Sequence, residues 1–159
     1  MLPKMQLREP LEKVKILWFW YTKTTYICLM ILNISYQSKS QERDINDYVG
    51  LSYTFWESLK MGGSGSQKLI INDCHQIFEP YLKQRHSTKY CNIELRSKGI
   101  VLRFRYKLEA IGWFIPYSAL SYHHDDFNLK IQDQITGYFM NVKSSHRNRI
   151  NLKFMKMLK

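Results

Sequence analysis

The chain is 159 residues long, the size of one compact domain or of one domain with an extension. Its residues are 45% hydrophobic and 14% aromatic, enough to bury a core, which excludes an extended disordered polymer. With 24 Lys and Arg against 13 Asp and Glu, the formal charge of +11 excludes a partner of like sign and favours polyanions: nucleic acid, an anionic membrane or an acidic protein face.

The first 60 residues form an apolar, aromatic-rich segment in which strands and a short helix are expected, either completing one sheet with the rest or standing apart. The run "ILWFWYTKTTYICLMILNISY", Ile16 to Tyr36, is interrupted by Lys23 and threonines, so it does not supply the roughly 20 apolar residues of a spanning helix. It also lacks a signal-peptide cleavage pattern. Two strands, "VKILWFWY" and "TYICLMILNISY", fit it better, and "DINDYVGLSYTFWESLK" has helical spacing weakened by Gly50. "MGGSGSQ", residues 61–67, is a flexible Gly/Ser loop. It is not a phosphate-binding loop, because Leu69 follows Lys68 where a hydroxyl is needed.

Residues 68–159 read as a β-rich unit. "KLIIND" is a strand and "HQIFEPYLKQRH" a helix or turn broken before Pro80. "NIELRS" and "GIVLRFRYKLE" make a hairpin turning at Lys98–Gly99. In the second of these, Ile100, Leu102, Phe104, Tyr106 and Leu108 face inward, while Arg103, Arg105, Lys107 and Glu109 face outward. "AIGWFIPYSALSY" is extended with a bend or edge at Pro116, and "FNLKIQ" and "YFMNV" are strands separated by the turn "DQITG". The tail changes period: Ile150, Phe154 and Leu158 are four apart, giving an amphipathic C-terminal helix over 146–159.

Antiparallel strands closed by one C-terminal helix, with "IPYSAL" entering a strand between "ELRSKGIVLRFRY" and "FNLKIQ", resemble a bacterial pleckstrin-homology-like (PH-like) or GRAM-like domain over residues 91–159. The fold class expected is therefore α+β: an antiparallel sheet forming a partly open barrel with that helix across it. The resemblance implies a non-catalytic module that binds lipid headgroups, peptides or partner domains, with ligand-contacting basic residues on the strand pair 93–107.

Two basic stretches carry most of the charge. Residues 83–107 hold eight cations and one acid, Glu94, and residues 143–159 hold six cations and no acid. Arg96, Lys98, Arg103, Arg105 and Lys107 are accordingly the candidate anion-binding residues, and an anionic lipid surface or an acidic protein is the expected partner. The alternatives are a nucleic-acid-binding protein using the basic strand face and the C-terminal helix, and a small metal-dependent enzyme at His123, His124, Asp125 and Asp126.

Those four residues lie between two strand-like runs, where Asp suits a hairpin tip, and adjacent strand residues point to opposite faces. Cys74, His75, His86 and Cys91 have zinc-ligand chemistry but not the paired spacing of a structural site. No nucleophile elbow or cysteine-protease signature occurs. The large aromatics Trp18, Trp20, Trp56 and Trp113 are expected in the core. No cofactor, catalytic residue or small-molecule substrate is expected. Three scattered cysteines suit a reducing compartment, so the expected location is the cytoplasm, peripheral to the inner membrane face.

Overall fold

The structure, a computed structural model, describes residues 30–82, 88–144, 150, 154 and 156. Among the described residues eight antiparallel strands form one sheet: β1 (Met30–Asn33), β2 (Leu69–Cys74), β3 (Tyr90–Leu95), β4 (Gly99–Tyr106), β5 (Glu109–Pro116), β6 (Leu120–His124), β7 (Asn128–Asp133) and β8 (Phe139–Ser144). Their order across the sheet is β1-β5-β4-β3-β2-β8-β7-β6, so among the described residues β1 and β6 are its two edges and the sheet is not closed. With the helices α1 (Lys39–Val49), α2 (Phe55–Met61) and α3 (Glu79–Leu82), the architecture is α+β.

Two meanders, β2 to β5 and β6 to β8, are joined through the strand β2. It pairs with β8 from Leu69↔Ser144 to Cys74↔Met140, with a register shift between Ile71 and Asp73. A shift of this kind bends a strand. Alternating residues from both meanders then meet in one core that includes Ile93, Leu102, Trp113, Ile131, Met140 and Val142. Phe78, from the 3-10 turn Gln76–Phe78, fills its centre. The Phe78 ring centroid lies 4.8 Å from that of Trp113 and 6.2 Å from that of Phe104.

The period-two pattern of β4 extends from Ile100 to Tyr106 but not to Leu108. That residue sits in the β4–β5 turn, almost wholly exposed, after Lys107 at φ 55°. The opposite face of the sheet is not all solvent. Helix α1, capped by the Ser38 side chain, lays Ile45 and Val49 over Leu32, Val101 and Phe114 in a second apolar cluster. Residues four apart share a helix face, so two side chains suffice for this contact.

The single helix expected within residues 44–60 is two helices. Gly50 ends α1 at φ 80°, and a Cβ there would lie 2.1 Å from Ser97 Oγ. Gly62 caps α2 in the left-handed region at φ 82°. The segment after it runs along β3 in place of β2, which pairs with β3 only at Leu69 and Ile70. Leu95 N–H donates to Ser64 O (2.7 Å) and Ser66 N–H to Ile93 O (2.7 Å). The Gly/Ser stretch thus extends the sheet.

The strand expected over residues 14–21 lies outside the described residues. So does most of the helix expected over 146–159. Phe154 is helical and buried in the core, whereas Ile150 is not helical and donates its N–H to Asp126 O (2.9 Å). Among the described residues no helix is long and apolar enough to cross a membrane.

Candidate functional site: a basic sheet face

Outward positions of β3 and β4 alternate with the core positions, so the register decides which cations share a surface. Arg103 lies opposite Asn92, and Phe104 opposite Cys91, which puts Tyr90 beside Arg105. Tyr90 in turn lies opposite Ile70, and Ile70 opposite Lys143. Arg105, Tyr90, Ile70 and Lys143 therefore form one row across four strands on the outer face. At about 4.8 Å per strand the row spans about 14 Å. Lys68 leans over it, its Nζ 3.9 Å from the Tyr90 ring centroid, an attractive cation–π arrangement. The two basic stretches of the sequence meet here, through Lys143 from one and Arg103 and Arg105 from the other.

The five basic residues singled out from sequence do not converge. Arg103 and Arg105 lie two apart on the exposed face. Lys98 and Lys107 occupy the turns at opposite ends of β4, whose eight residues span about 26 Å. Lys107 Nζ lies 5.3 Å from the Tyr106 ring centroid. Arg96 is buried: its Nε lies 3.0 Å from Glu94 Oε1, off the N–H axis and so an ion pair rather than a hydrogen bond. Its guanidinium also donates to Asn46 Oδ1 on α1 (3.4 Å). Arg103 Nη2 holds the other oxygen of the same carboxylate at 2.6 Å. Glu94 thus serves two arginines, one burying charge against α1 and one at the surface.

Lys68, Tyr90 and Lys143 were not singled out from sequence. Lys68 borders a Gly/Ser loop, Tyr90 precedes the strand expected over residues 92–97, and only the pairing of β2 with both β3 and β8 unites them.

The four residues His123 to Asp126 end β6 and turn into β7. His124 shares its face with Tyr122, their rings stacked at 6.3 Å, while His123 lies on the other face opposite Lys130. Among the described residues a shallow open pocket of about 330 Å³ beside it is lined by Ser121, Tyr122, His123, Lys130 and Gln132, none of them a second imidazole or a carboxylate. Asp125 Oδ1 accepts from the backbone N–H groups of Phe127 (2.8 Å) and Asn128 (2.7 Å). The Asn128 side chain, then those backbone groups and the charge of His123, hold the Asp125 carboxyl below its usual range. It acts as the hydrogen-bonding residue of the turn.

Cys91 faces the core, and burial pushes its thiol up to about 12. Cys74 lies five residues along β2 from Leu69, the partner of Cys91, about 16 Å away by strand rise. His86 lies outside the described residues. Among the described residues no group of three or more His, Cys, Asp or Glu stands close enough to hold a metal.

No protein-family model matches the chain, and neither a curated protein nor a solved structure does so.

Proposed function

We propose that the chain is a non-catalytic binding module that docks its basic sheet face on an anionic membrane surface. The observation that carries this reading is the row Arg105–Tyr90–Ile70–Lys143 with Lys68 and Arg103 beside it, a spread of cations on one open sheet face. A pocket gathers charge onto one phosphate, whereas cations spread about 14 Å across an open face meet several headgroups at once. Each Lys or Arg close to an anionic leaflet contributes about 1 kcal/mol. With Arg103 partly neutralised by Glu94, the face supplies about 3 kcal/mol, which suits reversible, salt-sensitive attachment.

In this reading the sheet is a PH-like domain. Its support is the element order: a four-strand meander and a three-strand meander joined along β2 and β8, with Phe154 of the tail buried against both. Attachment at the inner membrane face from the cytoplasm follows from the same proposal.

The second reading, nucleic-acid binding, is favoured by one observation. Tyr90 is 40% exposed between Lys68 and Arg105, where a base could stack beside two cations. Co-sedimentation with neutral and anionic vesicles, at low and near-physiological salt and with a duplex or single-stranded oligonucleotide as competitor, separates the two. Binding confined to anionic vesicles and resistant to competitor is the expected result. Release by the oligonucleotide overturns the membrane reading in favour of nucleic acid. No binding to either polyanion overturns both and leaves an acidic protein as the partner.

A further inference from the structure

Helix α2 is built in an unusual way: none of its seven residues is buried. Polar pins and its ends hold it. Thr54 Oγ1 accepts from Glu57 N–H (3.4 Å), and Glu57 Oε2 accepts from Thr54 N–H (2.8 Å) and from the Thr54 hydroxyl (2.8 Å), a complete capping box. At the other end Gly62 N–H donates to Leu59 O and Gly63 N–H to Ser58 O. The Ser58 hydroxyl bonds that of Ser64 (3.1 Å). Tyr53 just before the helix and Met61 at its end pack against the main core.

Between those anchors, Phe55, Trp56 and Leu59 point to solvent at 73%, 70% and 60% exposure, and Leu51 lies just upstream at 65%. Leu59 lies four residues after Phe55 and three after Trp56, so it is a surface neighbour of both. The Phe55 and Trp56 rings meet edge to face at 5.6 Å. Trp56, expected in the core, is thus one of the most exposed large side chains of the described chain. A contiguous apolar face of this kind on a capped helix marks an interaction surface.

We infer that α2 is a membrane wedge: Leu51, Phe55, Trp56 and Leu59 enter the headgroup–acyl boundary of an anionic bilayer. This rests on the membrane reading above and adds an apolar contact to an electrostatic one. The chemistry around the face selects the occupant. Lys60 follows it on the helix. Lys98 stands in the adjacent hairpin turn, where Ser97 N–H donates to Leu51 O (3.1 Å). Glu57, the helix's one acid, is engaged by Thr54.

Cations bordering aromatic and aliphatic side chains suit an anionic lipid interface. A second copy of this chain would instead bring lysine-flanked faces and two +11 charges together. Nucleic acid would attract the lysines but gain little from Leu51 and Leu59. Residues 62–67 connect α2 to Lys68 of the basic face.

The test uses the full chain with phosphatidylcholine vesicles, with and without phosphatidylserine. It compares the wild type with the triple variant Phe55→Ala/Trp56→Ala/Leu59→Ala, whose exposed side chains leave the fold's melting temperature unchanged within a few degrees. The triple variant is expected to bind anionic vesicles at least tenfold more weakly. As an independent readout, lipids brominated at shallow acyl positions should quench wild-type tryptophan emission, and Trp56→Phe, compared at vesicle concentrations that saturate each protein, should remove part of that quenching.

Equal binding by wild type and triple variant, with quenching unaltered in Trp56→Phe, overturns the wedge and leaves the basic-face reading standing. A wild type that ignores both vesicle types overturns the membrane reading and the wedge with it. Equal binding to neutral and anionic vesicles that is lost in the triple variant supports the wedge and overturns the basic face. A wild-type dimer that the triple variant converts to monomer assigns α2 to self-association and overturns the wedge.

Discussion

The carboxylate of Glu94 joins two arginines in different surroundings, and Glu94→Gln separates their contributions. Arg96 keeps only 8% of its side chain exposed, so loss of its counter-charge leaves a nearly buried cation. Breaking a buried pair costs about 3–5 kcal/mol. Glu94 is itself 24% exposed, and Arg96 retains Asn46, so the cost falls to about 2–4 kcal/mol. Thermal unfolding should move down by roughly 5–15 °C. The Arg103 arm contributes far less to stability, because its side chain is 44% exposed and water screens the pair; Arg103→Ala should cost about 1 kcal/mol or less.

The same variant acts on the surface with opposite sign. It releases Arg103, adds one positive charge to the basic face and contributes about 1 kcal/mol toward an anionic leaflet. Vesicle binding should tighten about fivefold, and the gain should fade as salt rises. Differential scanning fluorimetry and co-sedimentation at two salt concentrations read both effects on one preparation. A Glu94→Gln protein that melts with the wild type, or that binds no tighter, would falsify this division of labour. So would an Arg103→Ala protein as destabilised as Glu94→Gln.

Phe78→Ala should cost about 3–5 kcal/mol by emptying the space against Trp113 and Phe104, read as a shifted urea midpoint at unchanged slope; a cost below about 1 kcal/mol would mean that the 3-10 turn does not plug the core. Gly50→Ala should destabilise by at least about 2 kcal/mol, since positive φ and the Ser97 and Lys98 contacts act together, and an unchanged melting curve would refute the tight approach of the α1 end to the β3–β4 turn. Cys91 should resist alkylation in the native protein near neutral pH and react only after denaturation, as followed by mass spectrometry of its peptide. Because burial raises its thiol from 9.0 to about 12, its contribution to stability is intact below pH 9 and is lost as pH rises toward 12; a stability that stays flat across that range at this site would contradict the buried assignment.

Much of the sheet is legible because β7 and the second half of β4, from Leu102 to Tyr106, alternate between core and water, and turns at Lys98–Gly99 and "DQITG" are marked by their residue types. The limits of that reading are equally physical. Alternation presumes one wet face, yet Ile100, Val101 and Leu102 are all buried because α1 covers this end of β4. Three consecutive apolar residues are the available sign of burial on both faces. Arg96 reads as a surface cation until the Asn46 side chain of α1 is placed beside it. Trp56 reads as core because large aromatics usually are, whereas α2 is held by caps and its two ends. The basic face escapes the sequence for a topological reason: Lys68, Tyr90 and Lys143 become neighbours only through β2, which no local pattern places between β3 and β8.

That shared strand also governs the order of assembly. The rungs joining residues 69 and 144, or 74 and 140, close loops of about seventy residues, whereas β3–β4, β4–β5, β6–β7 and β7–β8 close within short turns. Each meander is thus entropically inexpensive to form, and their union is costly. A chain of this contact order collapses quickly and completes slowly. During that interval the inner faces carrying Ile93, Trp113 and Ile131 have no opposite half to cover them, so the yield of native protein depends on how dilute the folding chains are kept.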